Sequence, residues 1–144
     1  MSKTNTFEND ILALVFNNTD IANIGDAAGI QGATVPGSLY VGLLTADPTE
    51  AGTQTNEATF GAYARQAVAR SGAGWTVAGN NVTNAAAISF PEATSGSETV
   101  THVGIFDTAT TGIMKFHAAL TTSRLVTTGT TVTFAIGAIS ITED

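Results

Sequence analysis

The chain has 144 residues, no cysteine and a formal net charge of −7. That length fits one domain able to bury a core without covalent staples, and the missing thiols exclude disulfides and thiolate chemistry. Five basic residues, Lys3, Arg65, Arg70, Lys115 and Arg124, are scattered along it, so no basic patch is available to neutralise a nucleic-acid backbone.

From the N-terminus, Phe7, Ile11, Leu14 and Val15 fall at i, i+4, i+7 and i+8, and this spacing predicts a helix over 7–16 with one apolar face. Asn5 or Thr6 can cap its free amides, Glu8 suits the first turn, and Asn17 and Asn18 offer a stop. The apolar run 11–16 is far too short to cross a bilayer and follows Glu8 and Asp10 instead of a basic region, so neither a membrane span nor a signal peptide is expected. In residues 20–32, Ile21 and Ile24 could continue a short helical turn while the repeated Gly argues for a loop, and Pro36-Gly37 ends an N-terminal helix and lead-in arm over 1–37.

From residue 38 the pattern becomes β. In 39–44 both parities are largely apolar, which predicts a strand covered on both sides. A second strand is expected over 63–68 and a third over 75–77, with turns at 71–74 and 79–81. Val82, Ala86, Ile88 and Phe90 share one parity up to Pro91. Val100 to Phe106 follows, then a hairpin connection at Thr110-Thr111-Gly112. Met114, Phe116, Ala118 and Leu120 alternate, a short strand follows at 124–126, and a turn at Thr128-Gly129 leads to Val132, Phe134, Ile136, Ile139 and Ile141. Short Thr-, Val-, Ile- and Phe-rich strands with Gly-containing turns predict an all-β fold, an antiparallel β-sandwich over 38–144 with a short N-terminal α-helical arm, forming one compact unit.

Candidates for chemistry are few. His102 and His117, with Asp107 as a third ligand, would need adjacency to bind a metal, and their spacing matches no ligand signature. Asp47, Glu50 and Glu57 surround a Gly-containing loop but lack the regular oxygen ladder of a calcium site. No serine sits in a nucleophile elbow, and Gly72-Ala73-Gly74 lacks the helix that a dinucleotide site requires. No enzyme activity, metal or other cofactor is predicted. Tyr40, Tyr63 and Trp75 have the flat apolar faces that stack on sugars, although core packing uses the same property. Arg65 and Arg70 suit the anchoring of carboxylates across an interface.

Charged residues make up only 12% of the chain, about half the usual share. Thr, Ser, Asn and Gly stand in their place, as on an extracellular surface or one covered by like subunits. Within this background several segments occur together: Leu39-Tyr-Val-Gly-Leu-Leu-Thr-Ala-Asp-Pro48, Glu50-Ala-Gly52, Tyr63-Ala-Arg65, Ala67-Val-Ala-Arg70, Gly74-Trp-Thr-Val77 and Val100-Thr-His-Val-Gly-Ile-Phe106. As a set they resemble a family of small tailed-bacteriophage virion proteins labelled tail-fibre-like or head-decoration (minor capsid) proteins. The resemblance runs over nearly the whole chain and implies a virion structural protein made in the bacterial cytoplasm.

A stand-alone fibre usually shows long repeats or a coiled-coil stalk, and this chain has neither. The expectation is therefore a decoration protein that bridges major capsid subunits as a homotrimer on the capsid surface. The alternative is a tail or fibre component that contacts other tail proteins and the host, and a lectin-like or enzymatic domain is the third reading. Candidate interface residues are Phe7, Ile11, Leu14, Val15, Tyr40, Arg65 and Arg70, with no nucleic-acid or membrane partner.

Overall fold

The computed structural model describes residues 2–143. The fold is all-β with one short N-terminal helix, as the periodicity predicts. The helix α1 spans Asn5–Asn17, and nine strands follow: β1 (Ser38–Leu44), β2 (Gln66–Ala69), β3 (Trp75–Ala78), β4 (Asn81–Asn84), β5 (Ile88–Ser89), β6 (Ser97–Phe106), β7 (Met114–Thr127), β8 (Thr133–Phe134) and β9 (Ser140–Thr142). They form antiparallel sheets ordered β2-β1-β6-β7, β3-β4-β9 and β5-β8. The chain groups into two compact units, one of residues 1–38, 68–88 and 134–144, the other of residues 39–67 and 89–133.

In the first unit, α1 starts earlier than predicted. Thr4 is the N-cap, with extended backbone and a side chain that accepts the Phe7 amide at 3.4 Å, so Asn5 lies inside the helix. Asn18 ends it in the left-handed region at φ 57°, a conformation Asn tolerates better than most residues. The buried stripe is Glu8, Leu12 and Phe16, which corrects the predicted face. Phe7 is exposed, while Ile11, Leu14 and Val15 are half-buried and flank that stripe. Both stripes have four-residue spacing and differ by one position, about 100° of helix rotation. The polar head of Glu8 hides the true one from a hydropathy count.

Phe16 meets Trp75 edge to face, with ring centroids 4.9 Å apart. β3 and β4 pair from Trp75↔Asn84 to Ala78↔Asn81, joined by Gly79-Asn80. Gly79 has φ +63°, the first central position that a type II′ hairpin turn gives to Gly. Fully buried Asn84 donates to the Ala86 and Ala135 carbonyls, both at 2.8 Å, and accepts the Ile139 amide at 2.9 Å. This side chain ends β4 and divides the predicted run 82–90 between the separate strands β4 and β5.

In the second unit, β1 and β6 pair in register from Tyr40↔Phe106 to Leu44↔His102. Leu39, Val41 and Leu43 are buried on one face of β1, with Val103 and Ile105 of β6 on the same side. On the opposite parity, Leu44, Phe106 and Met114 form a cluster against which Tyr40 packs. Both faces of β1 are therefore covered, as its sequence predicts.

β7 is one strand of 14 residues where the sequence suggests two. From Val100 to His102 β6 advances two residues, while β7 moves five, from Arg124 back to Ala119. The surplus is absorbed as an irregularity within the strand, and the Thr-Thr-Ser of this stretch reads in sequence as a break.

Candidate interaction surface

The region 54–65 and the β6–β7 hairpin are tied together through Arg65. Its side chain is only 3% exposed. Nε donates to Glu57 Oε1 and Nη2 to Glu57 Oε2, both at 2.7 Å, in a bidentate fork. Nη1 donates to the Thr108 and Thr111 carbonyls at 3.0 and 2.7 Å, and Nη2 also reaches Gln54 Oε1 at 2.9 Å. The guanidinium lies 3.5 Å from the centroid of the Phe106 ring, a desolvated cation–π contact.

Tyr63 extends the network. Its hydroxyl donates to Glu57 Oε1 at 2.8 Å and accepts the Leu43 amide at 3.0 Å. Burial, reinforced by the Glu57 charge, holds the phenol well above its ordinary pKa, so it stays a proton donor. Facing glycines make the space. A Cβ on Gly42 would come within 2.7 Å of the Phe106 ring and 2.9 Å of the Tyr63 hydroxyl, and one on Gly104 within 2.9 Å of the same ring. Gly42 and Gly104 are register partners.

Arg70 is also engaged within the chain. It donates to the Val15 and Leu14 carbonyls at 2.7 Å and to the Pro36 carbonyl at 3.1 Å. The first two belong to the last turn of α1, where a cation also favours the helix dipole. Of the aromatic candidates, Trp75 is wholly buried, Tyr63 is flanked by Phe60 and Phe90, and Tyr40 is half-buried on the Leu44–Phe106–Met114 cluster. Neither Trp75 nor Tyr63 presents an open ring face.

The titratable residues do not converge on a metal. Strand register puts His117 opposite Gly104 and His102 opposite Ala119. His102 Nδ1 bonds to Thr101 Oγ1 at 2.9 Å, whereas His117 lies about 4 Å from Asp47 and Glu50. Asp107 accepts the Ile113 amide at 2.8 Å and pairs with Lys115 at 3.1 Å, and these contacts lower its carboxyl pKa. Glu57 belongs to Arg65. Among the described residues, no group of three or more His, Cys, Asp or Glu could hold a metal ion.

Several apolar side chains stay open to solvent. The loop 18–37 is ordered by its own polar side chains. Asn18 exchanges two hydrogen bonds with Ala33, at 2.7 and 2.8 Å, and Asp20 accepts the Gly32 amide at 2.7 Å. Ile21 and Ile30 form a reciprocal backbone bridge, both bonds 2.8 Å. Ile24, Ile30 and Val35 nevertheless point outward, Val35 being 77% exposed. The edge strand β7 carries Arg124 and Leu125, the latter 59% exposed. Sequence reasoning missed Arg124 and Leu125 because alternation does not reveal a strand stretch whose two faces are both uncovered. Compared with known families, residues 2–142 match the model of the Podophage GP4 fiber I protein gp80. No curated protein matches the chain.

Proposed function

The chain belongs to the Podophage GP4 fiber I protein gp80 family, and from that membership we propose that it is a structural protein of a phage tail fibre, without catalytic activity. The observation that carries this reading is the family match over residues 2–142. Its fibre description favours the tail or fibre alternative over decoration of the head by contact with major capsid subunits. The buried Glu57–Arg65–Tyr63 network supports a load-bearing role, because a satisfied polar network makes a domain rigid and its arrangement unique.

The partners proposed are tail proteins and further copies of the chain, with a homotrimer as the assembly. Nucleic acid is a poor partner. Lys3, Arg65, Arg70 and Lys115 are all engaged by carboxylates or carbonyls of the chain itself. No helix among the described residues is long and apolar enough to cross a membrane. Phe7, Ile11, Leu14 and Val15 flank the buried helical stripe and are the proposed contacts of α1 with a neighbouring tail protein.

Antibody labelling of purified particles, followed by cryo-EM with the subunit located, tests the reading. Density at the tail and host adsorption lost on deletion of the gene are expected. Density over the head lattice, with heads less heat-stable without the subunit, would restore the decoration role.

A further inference from the structure

Copies of a chain with net charge −7 repel one another, so a contact that brings opposite charges together is favoured over one that does not. Cations are scarce here, and four of the five are engaged within the chain. Among the described residues, Arg124 alone has no carboxylate or carbonyl partner. It is exposed on the edge strand β7, and the next residue, Leu125, is exposed on the opposite face of that strand. The strand holds no acidic residue.

The loop 18–37 has the complementary character. It carries Asp20 and Asp26 and no basic residue, and it exposes Ile24 and Val35. Its side-chain bonds hold it ordered, so little conformational freedom is lost when it is covered. We propose that this loop of one copy docks astride the β7 edge of a second copy, with Arg124 on one face of the strand meeting Asp20 and Asp26 and Leu125 on the other packing on Ile24 or Val35. Arginine is a frequent anchor at interface centres, where a desolvated charge pair and an apolar side chain act together. The two surfaces differ, so the contact is heterologous and closes into a ring when repeated around a symmetry axis. It deepens the homotrimer reading given above by assigning its interface.

The chain lacks native cysteine, which makes crosslinking selective. Val35→Cys protein mixed with Leu125→Cys protein should yield a crosslinked pair with a short bismaleimide, and neither variant alone should. Arg124→Glu should weaken self-association in sedimentation by at least about tenfold, with an unchanged thermal melt at dilutions where both proteins are monomeric, since Arg124 supports nothing inside the fold. Crosslinking of Leu125→Cys with itself would overturn the proposal in favour of edge-to-edge pairing of β7. A monomeric wild type, or unchanged association of Arg124→Glu, would overturn it outright. In the Val35→Cys/Leu125→Cys double variant, a crosslinked ladder past three copies would support the contact and refute only the closed trimer.

Discussion

Replacing Arg65 with Met should be among the most damaging single changes outside the apolar core. The substitution keeps a long side chain over Phe106 but removes every N–H donor of the network. The Glu57 carboxylate, the Gln54 side-chain oxygen and the Thr108 and Thr111 carbonyls all lose a partner. Stripping one member from a buried ion pair costs about 3–5 kcal/mol, because the remaining charge stays desolvated. Glu57 keeps the Tyr63 hydroxyl and its side chain is 20% exposed, which places the loss near the lower bound, about 3 kcal/mol. For a chain of this size that lowers the melting temperature by roughly 10 °C. Urea unfolding and thermal melts at fixed protein concentration would measure it, with Arg65→Lys and the double variant Arg65→Met/Glu57→Leu alongside. Arg65→Lys should recover only part of the loss, because an ammonium cannot form the fork. The double variant should be more stable than the sum of its singles, since it removes the orphaned charge. A melt for Arg65→Met within about 2 °C of wild type would show that the network adds nothing to stability and would refute the reasoning.

Ala62 has φ +71° in the turn closed by the Tyr63 amide and the Phe60 carbonyl, so Ala62→Gly should stabilise the fold by about 0.5–1 kcal/mol, and an unchanged or lower urea midpoint would contradict this. Asn84→Ala orphans two carbonyls and one amide and should cost about 3 kcal/mol or more, read in the same urea assay. The Asp107 carboxyl titrates below its ordinary value of 3.8 in the folded chain. Its contribution is therefore complete above that value and fades as pH falls through the folded pKa. Melts between neutral and strongly acid pH should show a loss at the acid end that Asp107→Asn lacks, and parallel profiles for the two proteins would count against it.

Local chemistry settled a good part of this protein in advance. Both-parity burial of 39–44, the hairpin at 110–112 and the helix stop at Asn18 depend on side-chain type and backbone preference, which neighbouring residues already specify. The family resemblance was legible for the same reason, as it resides in contiguous segments. Tertiary structure decided what depends on distant partners. It chose Glu8, Leu12 and Phe16 as the buried stripe of α1, because the aliphatic stem of a glutamate can be covered while its head is scored as polar. It drew Arg65 and Arg70 into internal networks with groups 8 to 56 residues away in sequence. It also left Arg124 and Leu125 uncovered, since β7 ends the sheet and alternation carries no record of whether a further strand lies beside it.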